Sequence, residues 1–379
     1  MKNKIEFFVT ARPSWSRVKS LVLNYIEING NNHATVCLTG PALSDRYGDV
    51  QSQIPSSVRV KTFPSLREGS DFASIALSSL DGAVAACQSW ANDRPDAVLV
   101  VADRVETLGI SMAAASMQIP LIHLQGGEIS GSIDDKIRDT NTKLADFHLT
   151  TNSSTRQNLI LMGELPENIE IVGCPSIDLL SERINLNEPI PSKSSDLGGV
   201  GEDFQTSLPF GIILFHPDTL NSRDNELWIN EIFRVIQQTE LNWFWFWPNP
   251  DYGSDRISKI LRTSREKPRQ QNIRYIRNLP PEKFMDLSIQ AEIMIGNSSY
   301  GIREASFLGL PVINLGMRQK GRERGSNVLD ILSPKNFFEE LNLHSKKTYN
   351  RETMYGNGDS GTLAAQYLTD WHPRLKLRR

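Results

Sequence analysis

Between His123 and Asp139 the chain reads HLQGGEISGSIDDKIRD, which sets one histidine, one glutamate and three aspartates around two adjacent glycines. Carboxylates crowded into a closed site repel one another, so one is driven to hold a proton while another accepts one. That chemistry suits removal of a carbon-bound proton or protonation of a leaving group. Asp103 ends one predicted strand and Glu128 follows the next. Sequential strands are commonly neighbours, so these two carboxylates are expected to converge. Asp134 and Arg138 are four residues apart on the helix that comes next and would share a face. Taken alone, Asp134 and Asp135 read more plainly as a surface ion pair and an acidic first helical turn. Glu128 is different, because the two glycines before it let the backbone bend and leave space for a ligand. A metal ranks below acid/base chemistry, since no HxH or HExxH spacing supplies histidine ligands.

A second constellation is GNSSYG, Gly296 to Gly301. It runs from a predicted strand into a helix, so its N–H groups, two hydroxyls and the helix start can cradle an anion. The competing reading is an ordinary helix N-cap provided by Ser298 or Ser299. The loop lacks the GxxxxGK[ST] and GxGxxG patterns of nucleoside-triphosphate and dinucleotide sites. Arg303, Arg318, Arg322 and Arg324 follow closely and favour an anionic ligand.

These residues need a scaffold, and the chain alternates strands with helices twice over. IEFFVT, HATVCLTG, AVLVVAD, IPLIHLQ, FHLTT and IEIVG read as strands with helical patterns between them. After SKSSDLGGVGEDFQTS, rich in Ser and Gly, the alternation resumes with FGIILFH, WFWFW, IRYIRN, AEIMIG and PVINLG. The expected fold is α/β, two doubly wound parallel sheets covered by helices, with the two domains facing a cleft. The expected division is an N-terminal domain over 1–176, a linker over 177–206, a nucleotide-binding domain over 207–360, and a C-terminal helix and tail over 361–379. The aromatic strand Trp243 to Trp247 reads as core covered on both faces rather than as a base-stacking platform. In such sheets ligands bind beyond the carboxyl ends of the strands. That rule selects Arg12, Asp103, Glu128, His216, Asn249 and Ser298, each just after a predicted strand.

The bulk figures agree with an enzyme-sized soluble chain. It has 379 residues, 39% hydrophobic and 22% charged, with a net charge of −3. No basic footprint marks a nucleic-acid partner or an anionic membrane, and no apolar run is long enough to span a bilayer. Cys37, Cys87 and Cys174 are widely spaced, which argues for a reducing, cytoplasmic location and against a zinc site. The N-terminus reads as a first strand, not a signal peptide.

Taken in order, VVADRVET, HLQGGEISGSIDDKIRDTNTKLADFHLTT, VGCPSID, PNPDYGSDRI and GNSSYGIREASFLGLPVINLGMRQKGRERGSNV resemble the UDP-N-acetylglucosamine 2-epimerases. The likeness is strongest to the hydrolysing branch of the sialic and legionaminic acid routes, and the blocks span roughly residues 97 to 330. It implies a glycosyltransferase-B arrangement of two Rossmann-like domains. It implies conversion of UDP-GlcNAc to N-acetylmannosamine and UDP, by anti elimination to a glycal followed by addition of water, without cofactor or metal. The acidic trio maps onto Asp103, Glu128 and Asp134, with Glu128 or Asp134 moving the C2 proton and Asp103 assisting at the sugar. Phosphate and uridine contacts map onto Arg12, His216, Ser298, Ser299 and Tyr300, with Glu304 near the ribose, and Arg138 and Asn249 are expected to bind substrate beside them. The implied partners are a UDP-sugar and further copies of the chain, as a homodimer or homotetramer.

Three positions depart from the family pattern. Thr10-Ala11-Arg12 stands where Gly-Thr-Arg is usual, Asp139 replaces a histidine after Ile137-Arg138, and Ser306 replaces a proline. These bear on substrate identity more than on reaction type, and a UDP-2,4-diacetamido-trideoxyhexose is the competing substrate. A non-hydrolysing epimerase, a glycosyltransferase of the same fold and a non-catalytic nucleotide-sugar sensor complete the alternatives. GGEISGSIDD resembles the hydrolysing version, where the non-hydrolysing branch carries EAGLR and PEE.

Overall fold

The computed structural model describes residues 2–44, 49–67, 71–218, 224–248, 253–265 and 272–375. Its first strand, β1 (Ile5–Val9), is buried along its whole length. Its one charged residue, Glu6, is matched inside the protein by Lys61 Nζ at 2.7 Å and Trp90 Nε1 at 2.7 Å. Burying Phe7 and Phe8 completely contributes about 2 kcal/mol each, which is why so short a strand is secure.

Strands β1, β2 (Ala34–Thr39), β3 (Arg59–Phe63), β4 (Ala97–Val101), β5 (Leu121–Leu124), β6 (Phe147–Thr150) and β7 (Ile169–Ile171) form one parallel sheet, ordered β3-β2-β1-β4-β5-β6-β7. The intervening helices are α1 (Arg12–Ser16), α2 (Lys19–Asn29), α3 (Phe72–Trp90), α4 (Val105–Ser116), α5 (Asp134–Leu144), α6 (Ser153–Leu161) and α7 (Pro175–Leu186). Two apolar clusters cover the two faces, one around Phe7, Val22 and Leu99, the other around Phe8, Trp90 and Val100. The order reverses between β1 and β4, and that is where a doubly wound sheet opens a crevice.

The second sheet is built from β8 (Val200–Gly201), β9 (Phe210–Leu214), β10 (Asn242–Phe246), β11 (Ile273–Ile276), β12 (Ile293–Gly296), β13 (Val312–Leu315) and β14 (Val328–Ile331). Its order is β14-β13-β12-β9-β10-β11-β8, and only the edge strand β8 runs antiparallel. Helices α8 (Asp224–Ile236), α9 (Ser254–Arg265), α10 (Pro281–Ile289), α11 (Ser299–Ile302), α12 (Glu304–Leu308) and α13 (Phe337–His344) accompany it. Here the reversal lies between β9 and β12. Trp243 and Trp245 are each 1% exposed, so the aromatic strand is core as its alternation implied. No helix among the described residues is long and apolar enough to cross a membrane.

The chain divides into a unit of residues 1–129, 133–181 and 354–379 and a unit of 130–132 and 182–353. This differs from the expected division in two ways. The expected linker over 177–206 contains most of α7 and the strand β8. The last helix, α14 (Ser360–Asp370), returns to the first unit instead of forming a separate tail. Its apolar residues Ala364, Ala365 and Leu368 join the cluster that contains Leu21 and Val22 of α2. Its first turn is capped from another helix. The Asp178 carboxylate of α7 accepts the Ser360 N–H at 2.9 Å, the Gly361 N–H at 2.6 Å and the Ser20 hydroxyl at 2.7 Å. Replacing a capping carboxylate costs about 1–2 kcal/mol, so Asp178→Ala is expected to speed amide exchange at Ser360 and Gly361 about tenfold. Unchanged exchange at both amides would remove this role.

Candidate active site

In the first unit the crevice is lined by the segments that follow β1, β4 and β5. β4 is followed by Ala102, whose φ of 55° is unusual for a residue with a Cβ. Three contacts hold it there. Its N–H donates to Leu124 O at 2.8 Å. Its carbonyl accepts from His123 Nε2 at 2.9 Å and from Asn141 Nδ2 at 3.3 Å. The turn so formed presents Asp103. Because His123 Nε2 faces a carbonyl it carries the proton, leaving Nδ1 to accept the Thr142 hydroxyl at 3.1 Å.

Asp103 meets Arg138, a guanidinium with no exposed side-chain surface. Arg138 Nη2 donates to the Asp103 carboxylate, and Nη1 donates to the Asp135 carboxylate and to Glu128 O, the last at 2.7 Å. Burial pulls the pKa of Arg138 down, and the charges of Asp103, Glu128 and Asp135 more than reverse this, so it stays cationic. Glu128 is 4% exposed. One buried cation therefore holds both the Asp103 carboxylate and the Glu128 main-chain carbonyl. Asp134 lies in the first turn of the same helix, half-buried. Asp135 accepts from Arg138 at a spacing of three. Asp135, read from sequence as surface, is one of the carboxylates that hold Arg138.

The two glycines act differently from the expectation. A Cβ on Gly126 would lie 2.8 Å from His123 Nδ1, and one on Gly127 would lie 2.4 Å from Thr155 O. The space they leave is filled by the protein itself, and Gly127 also needs its φ of 80°. They bring the β5 turn close to His123 and α6, which sets the position of Glu128.

His123 is fully buried, and burial above all pulls its pKa down to about 3, with His148 and Arg138 adding repulsion and Ala102 O and Asp103 opposing. The sign follows directly. Between pH 3 and 6.5 the unfolded chain binds a proton that the folded chain refuses, so stability falls on acidification through that window. Between pH 7 and pH 5 this histidine alone should cost about 2 kcal/mol. Urea titrations at both pH values should show that loss for the wild type and a smaller one for His123→Gln. Equal slopes would contradict a neutral His123.

Arg12 follows β1, is half-buried and has its pKa pulled down by burial to about 10, so it is still a cation at neutral pH.

The second unit has a matching arrangement at its own reversal point. The His216 N–H donates to Asn297 Oδ1 at 2.8 Å, and Asn297 Nδ2 donates to His216 O at 2.9 Å. This reciprocal pair ties the end of β9 to the end of β12. Asn297 O accepts Arg318 Nη1 at 3.1 Å and Gln319 Nε2 at 2.9 Å, which anchors the arginine-bearing loop to the same point. Ser298 caps α11, its hydroxyl accepting the Tyr300 N–H, so the capping reading describes this structure. Ser299 Oγ accepts from Arg303 Nη2 at 3.1 Å, and buried Glu304 lies 3.8 Å from Arg303 Nε. Tyr300 turns its ring edge-on to Phe284 with centroids 4.8 Å apart, and its hydroxyl is buried, which pushes its pKa up. Arg324 too is held within the unit, by Asp330 at 2.6 Å and Gln319 O at 2.7 Å. Asn249 lies outside the described residues. Among the described residues no set of three or more His, Cys, Asp or Glu side chains is arranged to hold a metal ion.

Sequence reasoning did not single out His123, Asn141, Asp135, Asn297 and Gln319 as site residues. The signals were present for three of them, since His123 and Asp135 belong to the acidic stretch and Asn297 stands inside GNSSYG.

Two doubly wound units in one chain, each with polar groups gathered at its strand-order reversal, define a glycosyltransferase-B-like α/β protein. Residues 26–369 match the family model described as UDP-N-acetylglucosamine 2-epimerase, and the chain belongs to that family. It is similar to a UDP-N,N'-diacetylbacillosamine 2-epimerase (hydrolyzing) of Legionella pneumophila, 27% identical over 87% of this chain and 85% of that one. It is 30% identical to a UDP-N-acetylglucosamine 2-epimerase of Neisseria meningitidis over 72% of this chain and 70% of that one. Its fold is shared with the crystal structure of Methanocaldococcus jannaschii UDP-GlcNAc 2-epimerase in complex with UDP-GlcNAc and UDP. There the TM-score is 0.79 at 16% identity, covering 96% of this chain and 99% of that chain.

Proposed function

We propose that the protein is a hydrolysing UDP-sugar 2-epimerase that converts UDP-GlcNAc and water into N-acetylmannosamine and UDP. The observation that carries this reading is the buried Arg138 holding Asp103 and Asp135 beside Glu128 at the end of a doubly wound sheet. One cation shared among several carboxylates leaves negative charge in excess, which is what a base for a carbon-bound proton requires.

In the first step Glu128 or Asp134 takes the C2 proton. The C2–H electrons form the C1=C2 bond, and the C1–O bond breaks so that its electrons leave with UDP. In the second step water adds its oxygen to C1, and C2 receives a proton on the opposite face, giving the 2-epimeric free sugar. Asp103, fixed by the Ala102 turn and by Arg138, steadies the sugar. Arg12 supplies positive charge to the diphosphate as its charge develops, and preorganised donors of that kind act mainly on the transition state. Removing a half-buried cation from an anion site weakens binding, so Arg12→Ala should raise the Kd for UDP more than tenfold, about 1.4 kcal/mol or more. Calorimetry with UDP measures this, and an unchanged Kd would refute the role of Arg12.

A second substrate reading is a UDP-2,4-diacetamido-trideoxyhexose. It is favoured by the breadth of the match to the Legionella relative and by the acidic Asp139 beside Arg138. The deciding experiment incubates the enzyme in deuterated water with each UDP-sugar, without acceptor. Free N-acetylmannosamine deuterated at C2, together with UDP, supports the proposal. Retention of the UDP bond in an epimerised product would point to the non-hydrolysing reaction, and faster turnover of the diacetamido sugar would reassign the substrate. Binding without turnover would remove the catalytic reading, and turnover only with an acceptor would point to a transferase.

A further inference from the structure

Glu128 stands at the end of a turn whose peptide groups are held one after another. The Thr150 hydroxyl, at the end of β6, donates to Gly126 O at 2.9 Å. Asn158 Nδ2, on α6, donates to Gly127 O at 2.9 Å. Arg138 Nη1, on α5, donates to Glu128 O at 2.7 Å. Consecutive carbonyls thus accept side-chain donors from three different elements. The turn also begins on a fixed residue. Gln125, with a φ of 67°, donates its N–H to Leu149 O at 2.8 Å and its Nε2 to Cys174 Sγ at 2.8 Å. The helix that carries Asn158 is set as firmly. Asn152 and Thr155 form a capping box at its start, and Thr155 O lies so near Gly127 that a Cβ there would be 2.4 Å away.

We infer that Asn158 is a positioning residue for Glu128, acting by fixing one of the two peptide planes that flank its Cα. This role rests on the reading of Glu128 as the group that moves the C2 proton. A peptide group is planar, so a carbonyl held in one direction fixes the whole plane. The plane between Gly127 and Glu128 is held by Asn158, and the plane that follows Glu128 is held by Arg138. With both planes set, the φ and ψ of Glu128 are set, and with them the direction in which Cα–Cβ projects the carboxylate. Gly127 makes the restraint necessary, because at a φ of 80° it has no Cβ to limit its own rotation. The bond is also not a local one. Its two residues are 31 apart in the chain, so it adds nothing to α6 as an isolated helix. Without the Asn158 amide the Gly127–Glu128 plane can turn and carry the carboxylate with it. A displacement of about 1 Å costs on the order of a hundredfold in rate, even when the altered residue never touches the substrate.

The test is a cycle of wild type, Asn158→Leu, Glu128→Gln and the double variant, assayed with whichever of the two UDP-sugars the wild type turns over, and by calorimetry with UDP. Asn158→Leu keeps the size of the side chain and removes the donor. It should lower kcat roughly ten- to a hundredfold, while KM and the Kd for UDP stay within about twofold. On the Glu128→Gln background the same substitution should lower kcat by less than about threefold, because the group it positions is already silent. If Asn158→Leu does not fold, Asn158→Ser, whose side chain is one bond shorter, reads the same quantities. Asn158→Leu at the wild-type rate beside a slow Glu128→Gln would overturn the role of Asn158 and leave that of Glu128 standing. An equal fractional loss on both backgrounds would also overturn it, since the damage would then be general. Glu128→Gln at the wild-type rate would remove the reading of Glu128, and this role with it.

Discussion

Glu128→Gln should lower kcat by roughly a hundred- to ten-thousandfold, the usual weight of one acid/base group, while the Kd for UDP stays within about twofold. The substitution keeps the size of the side chain. It also keeps the Glu128 carbonyl that accepts Arg138 Nη1 at 2.7 Å, so the frame around the crevice is preserved. What is lost is a carboxylate oxygen able to accept a proton. Single-turnover measurement with UDP-GlcNAc separates chemistry from release. A variant that turns over at the wild-type rate would pass the role to Asp134 or Asp103, and a parallel loss of UDP affinity would mean that Glu128 acts in binding.

Arg138→Met should be the most damaging single change to the first unit, lowering its stability by about 3–5 kcal/mol. Removing one partner of a buried ion pair leaves the other charge without compensation. Here the deficit is compound, because Asp103, Asp135 and the Glu128 carbonyl all lose this donor at once. Arg138→Lys should recover only part of the loss, since an ammonium cannot present the planar fork that reaches several acceptors. A double-mutant cycle with Asp103→Asn provides the control. If Arg138 acts through Asp103, the two losses fall short of additivity by more than about 1 kcal/mol. Strict additivity would show that the pair contributes nothing as a pair.

Elements with strong local signals were legible before any coordinates. IEFFV, AVLVV and FGIIL are strands buried on both faces, and such strands announce themselves as continuous apolar runs. Three of the four edge strands were not legible. RVKTF of β3, VG of β8 and VLDI of β14 have at most one buried residue apiece, so no apolar run marks them. The helix α7 was hidden beside a Ser- and Gly-rich stretch, and α14 could not be assigned to the first unit because its cap, Asp178, is supplied from a distant part of the chain.

By itself the sequence determined the α/β class, the family and the neighbourhood of Asp103, Glu128 and Arg138, because each depends on patterns only a few residues long. Tertiary structure alone decided that Asp135 meets Arg138, that Gly126 and Gly127 make room for His123 and Thr155, and that the Tyr300 hydroxyl is buried. Those outcomes depend on distances between side chains carried by different strands and helices. Spacing along one strand or helix cannot specify such distances, since packing between elements sets them.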